Sequence, residues 1–192
     1  TSLAIWGDKV LLVANGVNAY ALSDGKRLWR KEGSIPRSFR GLPDLLIANN
    51  AVWAGVLATQ GIDVNTGEML PPVAGKSLFT PGHHPRCYRA KGTDRYILWS
   101  KRGVEFMDIV DGKDHSANNW VRAVCRYGFM PANGLLYMPP TPCRCHPGVQ
   151  LTGYNALAAH PPTDFEDRKK GPRLIQGPAY DAIKEAPPPA NS

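Results

Sequence analysis

One short unit recurs along the chain, and this repeat restricts the fold more than any other feature of the sequence. Each copy has an apolar run, a glycine, a second run of alternating polarity, and a turn rich in Asp, Asn and Gly. The glycines are Gly16, Gly61, Gly103 and Gly153, at separations of 45, 42 and 50 residues. Periods of roughly 40 to 50 residues with several short strands in each are typical of β-propeller blades.

The turns and the runs around them predict antiparallel hairpins. A predicted strand precedes each glycine, at residues 9–14, 51–57, 95–100 and 135–138. The turns that follow are Ser23-Asp24-Gly25-Lys26, Asn65-Thr66-Gly67-Glu68 and Val110-Asp111-Gly112-Lys113. Alternating polarity bounded by such turns is a strong hairpin signal. We predict an all-β protein, a β-propeller of four-stranded antiparallel blades, about four of them in this chain. The alternative is a β-sandwich with chance similarity between its hairpins.

The length of the chain predicts a propeller that is part of a larger ring. Its 192 residues suffice for one domain with a sizeable core. Four blades would use nearly all of them, whereas propellers usually close with more. We therefore expect a piece of a longer polypeptide or one partner of a composite ring, and the lack of an initiator Met or signal peptide agrees with this. The predicted domains are the blades, residues 1–160, and a Pro-rich linker or tail, residues 161–192.

The charge pattern argues against two classes of partner. The net charge is +7, but the basic residues are scattered, and no basic run has aromatic residues interleaved for base stacking. We predict a solvated basic surface and no nucleic-acid partner. No stretch reaches the roughly 18 uninterrupted apolar residues of a membrane helix, so no membrane span is expected.

Residues 17–29, VNAYALSDGKRLW, resemble the repeat of quinoprotein-like (PQQ-like) β-propellers. A resemblance to a subgroup of large, exported PQQ-like proteins without assigned activity extends over about residues 5–160. It is carried in the second half by residues 94–98, 103–106, 119–122, 125–128 and 131–135. The resemblance implies a propeller in the periplasm or outside the cell, with partners that are proteins or other segments of the same polypeptide.

The resemblance does not extend to the quinone site of that superfamily. Its quinone-binding members carry a disulfide between adjacent cysteines and a calcium site of Glu, Asn and Asp. Here Cys143 and Cys145 are separated by Arg144, and no matching calcium cluster is found in the sequence. PQQ is therefore not expected.

The cysteines and their neighbouring histidines are the candidate site residues. The cysteines are Cys87, Cys125, Cys143 and Cys145, and an even count in an exported β-protein favours disulfides, although their pairing stays open. The alternative is a zinc or copper site in which His146, His83 and His84 join the thiolates. Haem is not expected, because the Cys-x-Cys-His run is one residue shorter than the usual attachment motif. Reduced thiols in the core are the remaining alternative.

No catalytic signature accompanies these residues. Hydrolase, phosphate-binding and dinucleotide motifs are missing from the sequence. Glu105 and Asp108 should face opposite sides of one strand, and Asp114 with His115 should form an exposed polar pair. The leading hypothesis is a non-enzymatic propeller scaffold or binding module without a cofactor. The alternative is a redox or metal-binding protein of the quinoprotein type that uses the Cys/His loops.

Overall fold

The structure is a computed structural model that describes residues 2–37, 44–82, 84–85, 87–141 and 151–159. The chain divides into a first unit, Thr1–Leu157, and a second, Ala158–Ser192. Nearly all described residues belong to the first unit. The predicted Pro-rich tail, residues 161–192, lies outside the described residues.

Four antiparallel sheets follow one another along the chain, and in each the strands are in sequence order. Sheet 1 contains β1 (Ser2–Trp6), β2 (Lys9–Val13), β3 (Val17–Ala21) and β4 (Arg27–Lys31). Sheet 2 contains β5 (Leu45–Ala48), β6 (Ala51–Ala54), β7 (Gln60–Asp63) and β8 (Met69–Pro72). Sheet 3 contains β9 (Lys91–Gly92), β10 (Tyr96–Trp99), β11 (Val104–Asp108) and β12 (Ser116–Asn118). Sheet 4 contains β13 (Met130–Ala132), β14 (Leu135–Met138) and β15 (Asn155–Ala158).

The only helical element among the described residues is one 3-10 turn, Lys76–Leu78. Successive meander sheets with almost no helix make this an all-β fold of the propeller type, as the repeat predicted. The first strands of successive sheets lie next to each other, β1 beside β5 and β5 beside β9.

Local turn chemistry fixes the hairpins. Asn49 and Asn50, which join β5 to β6, both have left-handed backbone angles, with φ of 52° and 55°. Asn133 and Gly134 do the same between β13 and β14. Two left-handed residues form the turn whose twist matches that of the flanking strands, and Asn and Gly adopt it at the lowest steric cost.

Three apolar clusters separate the sheets, and each lies in the seam between two consecutive sheets. Leu11 and Val17 of sheet 1 pack on Val52 of sheet 2. The next two seams join Trp53 of sheet 2 to residues of sheet 3, and Leu98 of sheet 3 to residues of sheet 4. Sheets 2 and 3 therefore bury apolar side chains on both faces, as the repeat requires.

Long side chains add hydrogen bonds across two of these seams. Trp29 Nε1 of sheet 1 donates to the Val64 carbonyl at 3.1 Å, so Trp29 covers the seam. Asn49 Nδ2 of sheet 2 donates to the Ile109 carbonyl at 3.1 Å. Each bond gives a backbone carbonyl oxygen a side-chain donor from the neighbouring sheet.

The structure corrects the alignment of the second repeat. The left-handed turn glycines Gly25, Gly67 and Gly112 set the common register. In that register Gly61 is equivalent to Ala19 inside β3, not to Gly16, which precedes β3. Gly61 is small because a Cβ there would lie 3.0 Å from the Ala51 Cβ and 3.3 Å from the Trp53 ring. Strand β1 was also missed, because its residues precede the first complete copy of the unit.

Candidate functional site: the cysteine loop and two exposed sheet faces

The loop that carries the first cysteine is joined to the segment between β12 and β13. Tyr88 and Arg126 form an isolated parallel bridge. In this bridge the Arg126 N–H donates to the Cys87 carbonyl at 2.8 Å. In a parallel bridge the residues that precede the two partners are also neighbours, so the backbones of Cys87 and Cys125 run side by side.

Packing holds this bridge in place. Tyr88 is buried, and its ring meets the Phe129 ring edge-on with centroids 5.6 Å apart. Gly128 has φ of 74°, and a Cβ at this position would lie 2.9 Å from the Tyr88 ring. Only glycine combines that backbone angle with such a close approach. The sequence gives a signal for this arrangement only in the Tyr-Gly-Phe run, which the repeat does not explain.

Both described cysteines are half-buried, and no disulfide joins Cys87 to Cys125 in this structure. The Nη2 atom of Arg122, a buried side chain, lies 4.0 Å from the Cys125 sulfur.

Of the remaining candidate metal ligands, only His84 lies among the described residues. His84 Nδ1 donates to the Pro85 carbonyl at 2.6 Å, which occupies that ring nitrogen. Cys143, Cys145, His146 and His83 lie outside the described residues. Within the described ranges, no group of three or more His, Cys, Asp or Glu side chains is arranged to hold a metal ion. The metal hypothesis therefore stays a prediction.

The buried acidic side chains of sheet 3 serve the backbone. Glu105 accepts the Lys101 and Arg102 N–H groups at 2.8 and 3.0 Å, one on each carboxylate oxygen. It pairs across strands with Trp99, whereas Asp108 pairs with Tyr96. The two acids thus lie on opposite faces of β11, as expected from their spacing.

Asp108 organises the turn that follows β11. Burial raises the pKa of this carboxyl, but the N–H groups of Val110 and Asp114, at 2.9 and 3.2 Å, and the Arg95 guanidinium, at 3.1 Å, together hold it well below its ordinary value. The charged carboxylate is therefore the form that this turn requires.

The prediction of an exposed Asp114 and His115 pair is wrong for the histidine. His115 is half-buried, and its Nδ1 accepts the Asp108 N–H at 3.0 Å. The other ring nitrogen, Nε2, then carries the proton and donates to the Val73 carbonyl at 3.0 Å. His115 joins sheet 3 to the chain that follows sheet 2, a contact between residues 42 positions apart that local sequence does not indicate.

One buried carboxyl group was missed altogether. Asp44, which directly precedes β5, is 4% exposed. Burial raises its pKa to about 6, although the Ala90 N–H and the charges of Arg89 and Lys91 act in the opposite direction. Because this carboxyl group lies in the seam between first strands, we expect its raised pKa to make the stability of the fold depend on pH. We do not interpret the raised pKa as a sign of catalysis.

The face of sheet 1 that points away from sheet 2 is apolar and exposed. Cross-strand pairing places Leu3 beside Leu12, Ile5 beside Val10, and Val10 beside Tyr20, so these side chains share one face. Leu3 is 63% and Ile5 59% exposed. We call this surface the first end face; its members are Leu3, Ile5, Val10, Leu12, Tyr20 and Leu22.

The face of sheet 4 that points away from sheet 3 has the same character. Met130 pairs with Tyr137, whose ring lies 6.4 Å from the Tyr154 ring. Met130 is 57% and Tyr154 66% exposed, whereas Leu136 and Met138, on the opposite face, are buried. We call this surface the second end face; its members are Met130, Leu135, Tyr137 and Tyr154.

The fold defines the chain as an all-β protein of propeller type, and its described residues expose an apolar surface at each end of the stack of sheets. Among the described residues, no helix has the length and apolar character needed to cross a membrane. No protein-family model matches the chain, and no curated protein matches its sequence.

Among solved structures the chain is similar to one described as the crystal structure of BamB from Moraxella catarrhalis. The TM-score is 0.45 and the sequence identity 16%, over 68% of this chain. The match spans 39% of the length of the BamB chain.

Proposed function

We propose that this protein is a non-enzymatic propeller scaffold that binds protein partners through its two end faces. The observation that carries the proposal is the contrast between these faces and all other sheet faces of the stack. Every internal face is buried in a seam, whereas the end faces leave Leu3, Ile5, Met130 and Tyr154 more than half exposed. Contiguous exposed apolar surface of this kind marks interaction sites.

The energy available at such a face is sufficient for specific binding. Fully burying a Leu or Ile side chain contributes roughly 1.5–3 kcal/mol, so covering the exposed part of Leu3 or Ile5 would contribute about 1–2 kcal/mol each. Several such side chains on one rigid sheet can act together, because the sheet holds them in place before binding and little ordering cost remains.

The proposal includes no catalytic activity. The buried acids Glu105 and Asp108 accept backbone N–H groups and are 0% exposed, so a substrate cannot reach them in this structure. Location in the periplasm or outside the cell, as part of a larger protein or complex, belongs to the proposal and rests on the resemblance of the repeat to exported PQQ-like proteins.

Site-specific photo-crosslinking tests the proposal. Benzoylphenylalanine is placed at Ile5 or Tyr154 in cells that express the full chain, with the exposed turn positions Glu68 and Lys113 as controls. We expect a discrete protein adduct, identified by mass spectrometry, at the end-face positions and none at the turns. Equal adducts at all four positions, or none at the end faces, would contradict the proposed function.

A further inference from the structure

We propose that the partner of the end faces is a second copy of this chain, and that two copies join head to tail at both ends to close one ring of eight sheets. The inference rests on the proposed function, because it names the occupant of the same two faces. The supporting observation is the repeat, because the sheets inside the chain show which surface covers the positions equivalent to those of the end faces.

The first end face includes positions whose equivalents in sheets 2 and 3 are buried. In the register of the turn glycines, Tyr20 of sheet 1 is equivalent to Ile62 and Met107, which are 6% and 0% exposed. Leu22, 52% exposed, is likewise equivalent to two buried residues, Val64 and Ile109. All four equivalents pack against the preceding sheet. Each sheet of the repeat packs one face against the sheet that follows it, and we call this its forward face. The surface that fits the first end face is therefore the forward face of another sheet of this repeat.

The second end face is that forward face. Tyr154 directly follows Gly153, as Val17 follows Gly16 and Val104 follows Gly103. Val17 and Val104 are both 0% exposed and pack against the next sheet, whereas Tyr154 is 66% exposed. The two end faces are thus the two complementary faces of one further seam, equivalent to the three seams that the chain already contains.

The number of sheets indicates how many copies close the ring. A head-to-tail contact forms a ring when its rotation closes and an open fibre when it does not. Propellers close with about four to eight blades. Two copies of a four-sheet chain give eight sheets, whereas three copies would exceed this range. Two equivalent seams related by a two-fold axis would then cover every apolar sheet face.

Sedimentation equilibrium of the purified full chain tests this inference. The chain has a mass of 21.0 kDa, and we expect a single species of about twice that mass. The double variant Leu3→Lys/Leu22→Lys alters the first end face, and Met130→Lys/Tyr154→Lys alters the second. Each should raise the dissociation constant of the dimer about 100-fold or more, since charges would be buried in an apolar seam.

Tyr127→Lys is the matched control, because Tyr127 is 79% exposed but belongs to neither end face. It should leave the dimer unchanged, and circular dichroism verifies that every variant keeps its strands. A monomeric wild-type chain, a dimer that survives both double variants, or a ladder of ever larger species would each overturn the inference. Crosslinks from the end faces to a different protein would also overturn it, while leaving the proposed function intact.

Discussion

The turn glycines show how one residue type serves two purposes within the same repeat. Gly25 and Gly67 occupy equivalent positions, with φ of 72° and 76°. A Cβ on Gly25 would meet no atom within 4 Å, whereas a Cβ on Gly67 would lie 2.7 Å from the Trp29 ring. Both glycines supply a left-handed turn, but Gly67 also lets the turn of sheet 2 pack against the indole of sheet 1.

Replacing these two glycines separates the two roles. Gly25→Ala should cost about 1 kcal/mol of unfolding free energy, since alanine is strained at positive φ. Gly67→Ala should cost about 1–2 kcal/mol more, because it must also displace Trp29 from the seam. Urea denaturation of both variants measures the difference. Equal losses would show that the Trp29 contact contributes nothing to stability.

Single residues also show the limits of prediction from sequence. The opposite orientations of Glu105 and Asp108 followed from strand periodicity. His115 could not be placed, because its partner Val73 lies on a connection whose path only the folded chain defines. Asp44 was missed for the same reason: the Ala90 N–H that contacts it lies far along the chain.

At the scale of strands and sheets, Asp44 couples one seam to pH. The folded pKa of this carboxyl is about 6, above its ordinary value of 3.8. The folded protein therefore holds a proton that the unfolded chain has already released between about pH 4 and pH 6. The stability that this group contributes is fully present below pH 4 and is lost as the pH rises through 6.

We expect Asp44→Asn to remove this pH dependence. The difference in unfolding free energy between variant and wild type should shift by about 2 kcal/mol in favour of the variant between pH 4 and pH 7.5. Chemical denaturation across that range measures it. Asp63→Asn is the matched control, because the Thr66 and Asn65 N–H groups lower the pKa of Asp63 and the dependence has the opposite sign. A constant difference for Asp44→Asn would refute the assignment.

The hairpins were predictable because each is local. Polarity alternation and turn residues placed β2, β10 and β14 within a residue or two. For the seams, the sequence predicted only that they must form, because both faces of the repeat are apolar. Which strand lies next to which neighbour, and the shift of Gly61 within β7, depend on contacts between sheets that no single repeat contains.

For the molecule as a whole, the bridge between the first cysteine loop and the segment after sheet 3 predicts which cysteines can pair. The bridge between Tyr88 and Arg126 places Cys87 beside Cys125, so we expect these two to form the disulfide when the full chain is exposed to oxidised glutathione. Neighbouring strands lie about 4.7–4.9 Å apart, which is within the 4.4–6.8 Å between Cα atoms that a disulfide needs. Peptide mapping by mass spectrometry without reductant identifies the pair, with a reduced sample as control.

Alkylation of all four cysteines after that treatment would contradict the disulfide prediction. The same preparation also tests the alternative function. Stoichiometric zinc or copper by elemental analysis would favour a metal site built from Cys87, Cys125, Cys143, Cys145 and the neighbouring histidines, and would count against a scaffold without a cofactor.

The seams between consecutive sheets have a consequence for synthesis on the ribosome. Translation at about 5–20 residues per second needs roughly 2–9 s for each repeat, so a newly made sheet waits seconds before its successor emerges to cover it. As the chain grows, each new sheet covers the exposed face of the sheet before it. In the two-copy ring that we propose, no sheet of the same chain covers the first end face, so this face must stay accessible, and avoid mispairing with other nascent chains, until a finished molecule reaches it.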